Sequence, residues 1–158
     1  MLIAIACGII YVLYGQPGSG KTTLSVLLSN HLKSFAHIID GDHLRKMTNN
    51  CDFSKSGREQ NILKANELAT RMHGDSNYSY NVIMALVNPY KHLRDQLKNQ
   101  NPGKVVEILL TSKRTLRKEY HVEDFELGNP DICLNTDRDE VFTVESLMSM
   151  LDNYQVYP

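Results

Sequence analysis

The eight residues Gly15-Gln16-Pro17-Gly18-Ser19-Gly20-Lys21-Thr22 constrain this chain more than any other stretch. Two glycines with four residues between them, then Lys and Thr, have the spacing of a phosphate-binding loop. The apolar run Ile9 to Tyr14 precedes the loop and Thr23 to Lys33 follows it, so a strand feeds it and a helix leaves it. Glycines let a backbone wrap closely enough for successive N–H groups to face phosphate oxygens, and the helix start adds unpaired donors and a positive dipole end. Lys21 is predicted to reach the β- and γ-phosphates of ATP. The Thr22 hydroxyl is predicted to ligate the Mg²⁺ that travels with ATP, and Thr23 completes the nucleotide-binding set Gly15 to Thr23.

A chain of 158 residues suits one domain, here 1–158, that buries well over half of its unfolded surface. A net charge of −1 supplies no global field for nucleic acid or an anionic membrane, so neither is expected as a partner and any bound anion is captured locally. Cys7, Cys51 and Cys133 are odd in number and lack metal-site spacing, which fits a reducing cytoplasm. Met1 to Tyr14 is nearly all apolar, yet it is too short to span a bilayer, lacks a basic start and runs straight into the loop. It reads as a buried strand with an apolar lead-in.

Leu24, Leu27, Leu28 and Leu32 recur at helical intervals, giving the first helix, Thr22 to Lys33, one apolar face. Phe35 to Ile39 reads as the next strand. Strands alternating with helices predict an α/β fold with a parallel sheet of about five strands and helices on both faces, its ligands beyond the strands' carboxyl ends. The second strand ends in Asp40-Gly41-Asp42-His43-Leu44-Arg45, and two readings of its carboxylates stand. The pair organises Mg²⁺ or takes a proton from an attacking hydroxyl. Alternatively it forms a turn whose Asp caps the next helix. His43 reads as a solvated or packing residue.

Further on, Asp52-Phe53-Ser54 leads into a helix that starts at Arg58-Glu59-Gln60-Asn61 and buries Ile62, Ala65, Ala69 and Met72. Asn77 to Val87 reads as a third strand that stops at Asn88-Pro89, where proline breaks the ladder. Tyr90 to Gln100 is an amphipathic helix, Lys104 to Thr111 a fourth strand, Ile132 to Asn135 a short fifth, and Val144 to Leu151 a last helix. Ser112 to His121 is predicted to be a basic helix, either a solvated face or, as its unbalanced charge favours, the lid that closes over phosphates, within a lid region at about 112–130.

In order and spacing these motifs resemble the adenylylsulfate (APS) kinase family, whose members carry a phosphate loop, a DGDNxR segment, a GFS segment, an R-x-x-N helix start and an ISPY strand end. The counterparts here are Asp40 to Arg45, Asp52-Phe53-Ser54, Arg58 to Asn61 and Val87-Asn88-Pro89-Tyr90. The resemblance spans about Ile9 to Leu97. It implies the P-loop kinase fold, ATP and Mg²⁺ as cofactors, transfer to the 3′-hydroxyl of adenylylsulfate, and a homodimer.

The catalytic set is then Lys21, Asp40 and Asp42, the metal partners Thr22 and Asp40, and the acceptor pocket Arg45, Phe53, Arg58 and Asn61 with Val87, Asn88 and Pro89. Taken singly, Arg58 and Asn61 also read as an exposed helix turn and Phe53 as plain core. Two departures stand out. Asn88 replaces the family's serine, and an amide cannot become a phosphorylated intermediate, so only direct transfer is open at this position. The lid lacks the family's CEQRD, KGLYKKAR and GFTG stretches, and Phe125 is the candidate for the missing stacking aromatic. Those departures keep two alternatives in view: a kinase acting on another nucleotide conjugate or small-molecule hydroxyl in surface-polysaccharide or natural-product metabolism, and a nucleotide-binding regulator that transfers nothing.

Overall fold

The computed structural model describes residues 8–32, 34–74 and 80–154, and these form five strands and five α-helices in the order β-α-β-α-α-β-α-β-β-α. The strands are β1 (Ile10–Tyr14), β2 (Ala36–Asp40), β3 (Asn81–Ala85), β4 (Val105–Thr111) and β5 (Ile132–Asn135). The helices are α1 (Lys21–His31), α2 (Gly41–Thr48), α3 (Lys55–Gly74), α4 (Lys91–Gln100) and α5 (Glu140–Asn153). Most of the apolar lead-in before Gly8, Lys33 at the expected end of the first helix, and the Asn77 to Ser79 start of the expected third strand lie outside the described residues.

The sheet is parallel throughout, in the order β2-β3-β1-β4-β5. Its central strands are buried on both sides, which is why β3 is buried at all five positions and reads as a continuous rather than an alternating pattern. On one face Ile10, Val12, Tyr14, Val82 and Met84 pack against Leu44 of α2, Ile62, Ala65 and Ala69 of α3, and Leu93 and Leu97 of α4. On the other, Leu13, Ile83, Val106, Ile108 and Leu110 pack against Leu24 and Leu28 of α1 and Val144 and Leu147 of α5. The three-four spacing of the leucines in α1 thus delivers two fully buried side chains to the sheet, each stabilising the fold by about 1.5–3 kcal/mol.

Register brings the carboxyl ends of the strands to one edge: Asp40 and Leu13 both lie level with Ala85, and Tyr14 lies level with Leu109. The connections that leave that edge carry every motif singled out above. At the opposite end the buried Asn81 side chain accepts from the Ile9 N–H (2.9 Å) and donates to Ser34 Oγ (2.6 Å), tying the strand entrances together.

Ser112 to His121 is not a helix. After β4 the chain runs irregularly to a single 3₁₀ turn at Lys118–Tyr120. Side chains claim the backbone groups that a helix would use: Asp137 accepts from the Lys113 N–H and from Ser112 Oγ, which in turn accepts from the Arg114 N–H. Arg117 adopts a left-handed conformation, φ 58°, which no helix interior tolerates.

Candidate functional site

The loop between β1 and α1 turns through Gly18 (φ 82°) and Gly20 (φ 90°), conformations that side chains rarely adopt. A Cβ on Gly18 would stand 2.9 Å from the Leu116 Cβ and carbonyl oxygen, so the close approach of the 112–121 segment also requires glycine there. Lys21 opens α1 and is buried, its Nζ donating to the Gly15 and Gln16 carbonyls (3.0 and 2.8 Å) and to Ser19 Oγ (3.3 Å). Burial pushes its ammonium down to about 8, and the nearby Asp42 carboxylate opposes that only in part. The cation is therefore held without a full counter-charge, as a site for anionic phosphate requires.

Asp40 bears out the capping reading of the paired carboxylates and turns its second oxygen toward Thr22. Its Oδ1 caps α2, accepting from the Asp42 and His43 N–H groups at 3.0 Å each, while its Oδ2 accepts from Thr22 Oγ1 at 2.7 Å. A hydroxyl and a carboxylate thus meet beside the phosphate loop, a hard-oxygen pair suited to Mg²⁺. Among the described residues no group of three or more His, Cys, Asp or Glu converges to hold a metal ion alone. Asp42 is exposed, and its Oδ2 accepts from Arg117 Nη1 at 2.8 Å. His43 is exposed, as expected of a solvated residue.

The strand ends, the loop and α2 enclose a cavity of about 480 Å³. From the phosphate loop and α1 it is lined by Pro17, Gly18, Gly20, Lys21, Thr22 and Thr23. Asp40, Asp42, Arg45, Phe53, Arg58 and Asn61 line it further out, and Val87, Asn88 and Pro89 line it at the end of β3. Gly15, Gln16 and Ser19 face a neighbouring cavity of about 410 Å³ instead. The Gln16 side chain is committed to the backbone of Val122, donating to its carbonyl at 2.8 Å and accepting from its N–H at 3.0 Å.

Phe53 is not core: it is 39% exposed, with the Arg45 guanidinium 4.4 Å from its ring centre and the Tyr120 ring at 4.9 Å. Arg45 donates to the Asp52 carbonyl (2.7 Å), which shapes the turn that presents Phe53. Burial, then the neighbouring Arg58 cation, push Arg45 below its usual value. Two guanidiniums that repel each other in one cavity with an aromatic face have the chemistry to pair with a planar anion. Asn61 is buried, its Nδ2 donating weakly to the Gly41 carbonyl at 3.4 Å, so it is not part of an exposed helix turn. Asn88 is also buried, in a left-handed conformation (φ 46°), with its carbonyl held by Arg94 Nη1 at 2.6 Å.

Phe125 does not reach this cavity. Its ring lies parallel to that of Tyr14 at 6.2 Å and packs against the core. The aromatic that meets Phe53 is Tyr120, which the sequence reading passed over. Arg114, Leu116, Arg117, Thr136, Arg138 and Thr143 also line the cavity. Thr136 immediately follows β5, so the rule that ligands gather beyond the strand ends could have found it. Nothing in the spacing marked Tyr120, because the segment that carries it has no period.

The sequence profile of the family described as adenylylsulphate kinase matches residues 7–123. A probable adenylyl-sulfate kinase of Pyrococcus abyssi is 31% identical over 112 residues, 66% of this chain and 60% of that protein. An adenylyl-sulfate kinase of a Picosynechococcus species is 31% identical over 102 residues, 62% of this chain and 55% of that protein. The chain thus spans little more than half the length of these two relatives. The Mycobacterium tuberculosis APS kinase CysC, solved in complex with AMPPNP and APS, superposes with a TM-score of 0.77 at 19% identity, covering 92% of this chain and 98% of that one.

Proposed function

The chain belongs to the adenylylsulfate kinase family, and from that premise we propose that it transfers the γ-phosphoryl group of ATP to the 3′-hydroxyl of adenylylsulfate, giving 3′-phosphoadenylylsulfate and ADP. The observation that carries the reading is the two-ended cavity. One end offers the glycine loop and the Lys21 cation, the other the Arg45 and Arg58 guanidiniums with the Phe53 and Tyr120 rings. A triphosphate fits the first end and an adenine nucleotide with a phosphosulfate dianion fits the second, which brings hydroxyl and γ-phosphorus together between them.

In this reading the backbone N–H groups of the loop and Lys21 bind the β- and γ-phosphates, and Lys21 neutralises charge as it moves to the leaving oxygen. Thr22 and Asp40 are the residues that would hold Mg²⁺, whose charge further stabilises the phosphates when it is bound. Arg45 and Arg58 pair with the acceptor's anionic groups, Phe53 and Tyr120 cover its base, and Asn61 fixes its orientation. Asp42 takes the proton of the 3′-hydroxyl as the new O–P bond forms and the γ-phosphorus bond to the bridging oxygen breaks, its electron pair leaving with ADP. Because Asn88 offers no hydroxyl, the transfer is direct. Positioning and charge account for most of the catalysis of phosphoryl transfer, so this set suffices.

A second reading, a kinase of this family acting on another nucleotide conjugate, is favoured by one observation: the ring that meets Phe53 comes from a lid built differently from the family pattern. A substrate panel at equal ATP decides, comparing adenylylsulfate with adenosine 5′-phosphate, cytidine conjugates and free sugars in wild type and Arg58→Ala. Phosphorylation of adenylylsulfate, with Arg58→Ala losing acceptor use by about 2–5 kcal/mol and ATP affinity little changed, is the expected result. Phosphorylation of another conjugate selects the second reading, and phosphorylation of none points to a regulator.

A further inference from the structure

Resting on the reading of this cavity as a phosphoryl-transfer site, we propose that Arg117 is a further phosphate-binding residue whose charge is held on Asp42 until a nucleotide arrives. The segment that follows β4 is fastened at two points. Arg114 donates through Nη1 and Nη2 to the Thr136 carbonyl and Oγ1, at 2.7 Å each, and Val122 exchanges two hydrogen bonds with the Gln16 side chain. Only 115–121 bridges these anchors. Leu116 rests over Gly18 of the phosphate loop, and the left-handed turn at Arg117 directs the next guanidinium to Asp42 at 2.8 Å.

Arg117, Asp42 and Lys21 line one cavity together with Gly18 and Gly20 of the phosphate loop. Arg117 therefore faces the cavity in which the reading puts the transferring phosphate. The pair itself is weak, since its side chains are 46% and 57% exposed and water screens their attraction. A triphosphate offers the same guanidinium a denser anion and a two-pronged contact. The arginine exchanges partners when nucleotide enters.

The exchange leaves a thermodynamic mark that a fixed ion pair does not. Titration calorimetry with the β,γ-imido analogue of ATP and Mg²⁺, without acceptor, is performed on wild type, Arg117→Gln, Asp42→Asn and the double variant. Both residues are exposed, so all four proteins fold. Arg117→Gln should weaken the analogue several-fold. Asp42→Asn should tighten it, and by roughly two- to five-fold more in the wild-type background than in Arg117→Gln, because only exchange makes binding break the pair. Equal tightening in both backgrounds means that the pair persists with nucleotide bound and overturns the proposal, as does unchanged affinity in Arg117→Gln. With no acceptor present, the result does not depend on adenylylsulfate being the substrate. A wild type that fails to bind the analogue overturns both the exchange and the phosphate-site reading.

Discussion

At the scale of single residues the chemistry turns on a buried lysine. Burial lowers Lys21 to about 8 from 10.5, so above that pH the empty folded protein lacks a proton that the unfolded chain keeps. Its contribution to stability therefore rises as pH climbs from about 8 toward 10.5, and the penalty for burying the cation is complete below 8. Nucleotide binding works the other way, because phosphates restore the charge. Affinity should fall as pH rises past 8, with uptake of about half a proton per nucleotide at pH 8, measurable by calorimetry in buffers of different ionisation enthalpy. Lys21→Ala should lower turnover by about 10²–10³-fold or more while circular dichroism stays native; near-normal turnover would remove the phosphate loop from the reaction. Asn88 yields a second prediction at this scale. After incubation with ATP and Mg²⁺, intact mass should show only unmodified chain, and a stoichiometric phosphate adduct required for turnover would refute direct transfer.

Among the elements, α2 and the 112–121 segment matter most, and they differ in what shapes them. Asp40 caps α2 through one oxygen and meets Thr22 through the other, so the start of a helix and a ligand pair for Mg²⁺ are a single arrangement. The 112–121 segment has little apolar content of its own and is held by contacts with distant parts of the chain. Gln16→Ala would leave the Val122 N–H and carbonyl without their partners, at a cost of about 1–3 kcal/mol. Hydrogen exchange at Val122 and its neighbours should accelerate, and the KM for ATP should rise more than kcat falls, since the loop loses its fastening and no reacting group is removed. Unaltered exchange at Val122 would show that its buried side chain alone anchors the segment.

The whole molecule is stapled beneath the site by Arg94, which is 1% exposed. It donates to the carbonyls of Asn88, Glu126 and Leu127, lies over the Tyr14 ring at 4.2 Å, and stands 3.7 Å from Glu107 on β4. One side chain thus joins the end of β3, the loop before β5 and the centre of the sheet. Arg94→Met removes those three bonds and leaves Lys98, at 3.3 Å, as the remaining cation beside the buried Glu107. A loss of about 3–5 kcal/mol is expected, seen as a thermal midpoint lower by about 10 °C. A shift of only one or two degrees would mean that Lys98 alone balances Glu107. Among the described residues no helix is long and apolar enough to cross a membrane.

The order of the five strands, the buried faces of α1, α3 and α4, and the phosphate loop were legible in the chain itself, because each is written in local periodicity or in glycine spacing that has one steric solution. The acceptor residues were legible as a set only through motif order: Arg45 comes from α2, Phe53 from the turn after it, and Arg58 and Asn61 from α3, and their convergence on one cavity is a property of the packed fold. Tertiary structure alone decided the rest. It made the basic stretch an irregular strap, because Asp137 and Ser112 take its backbone donors, and it laid Phe125 against the core and Tyr120 against Phe53. It also divided the labour of the two aspartates, one capping a helix and facing Thr22, the other paired with Arg117 from 75 residues away. A sequence states which contacts are sterically and chemically open to a residue; which of them forms depends on competition among groups that only the folded chain brings within reach.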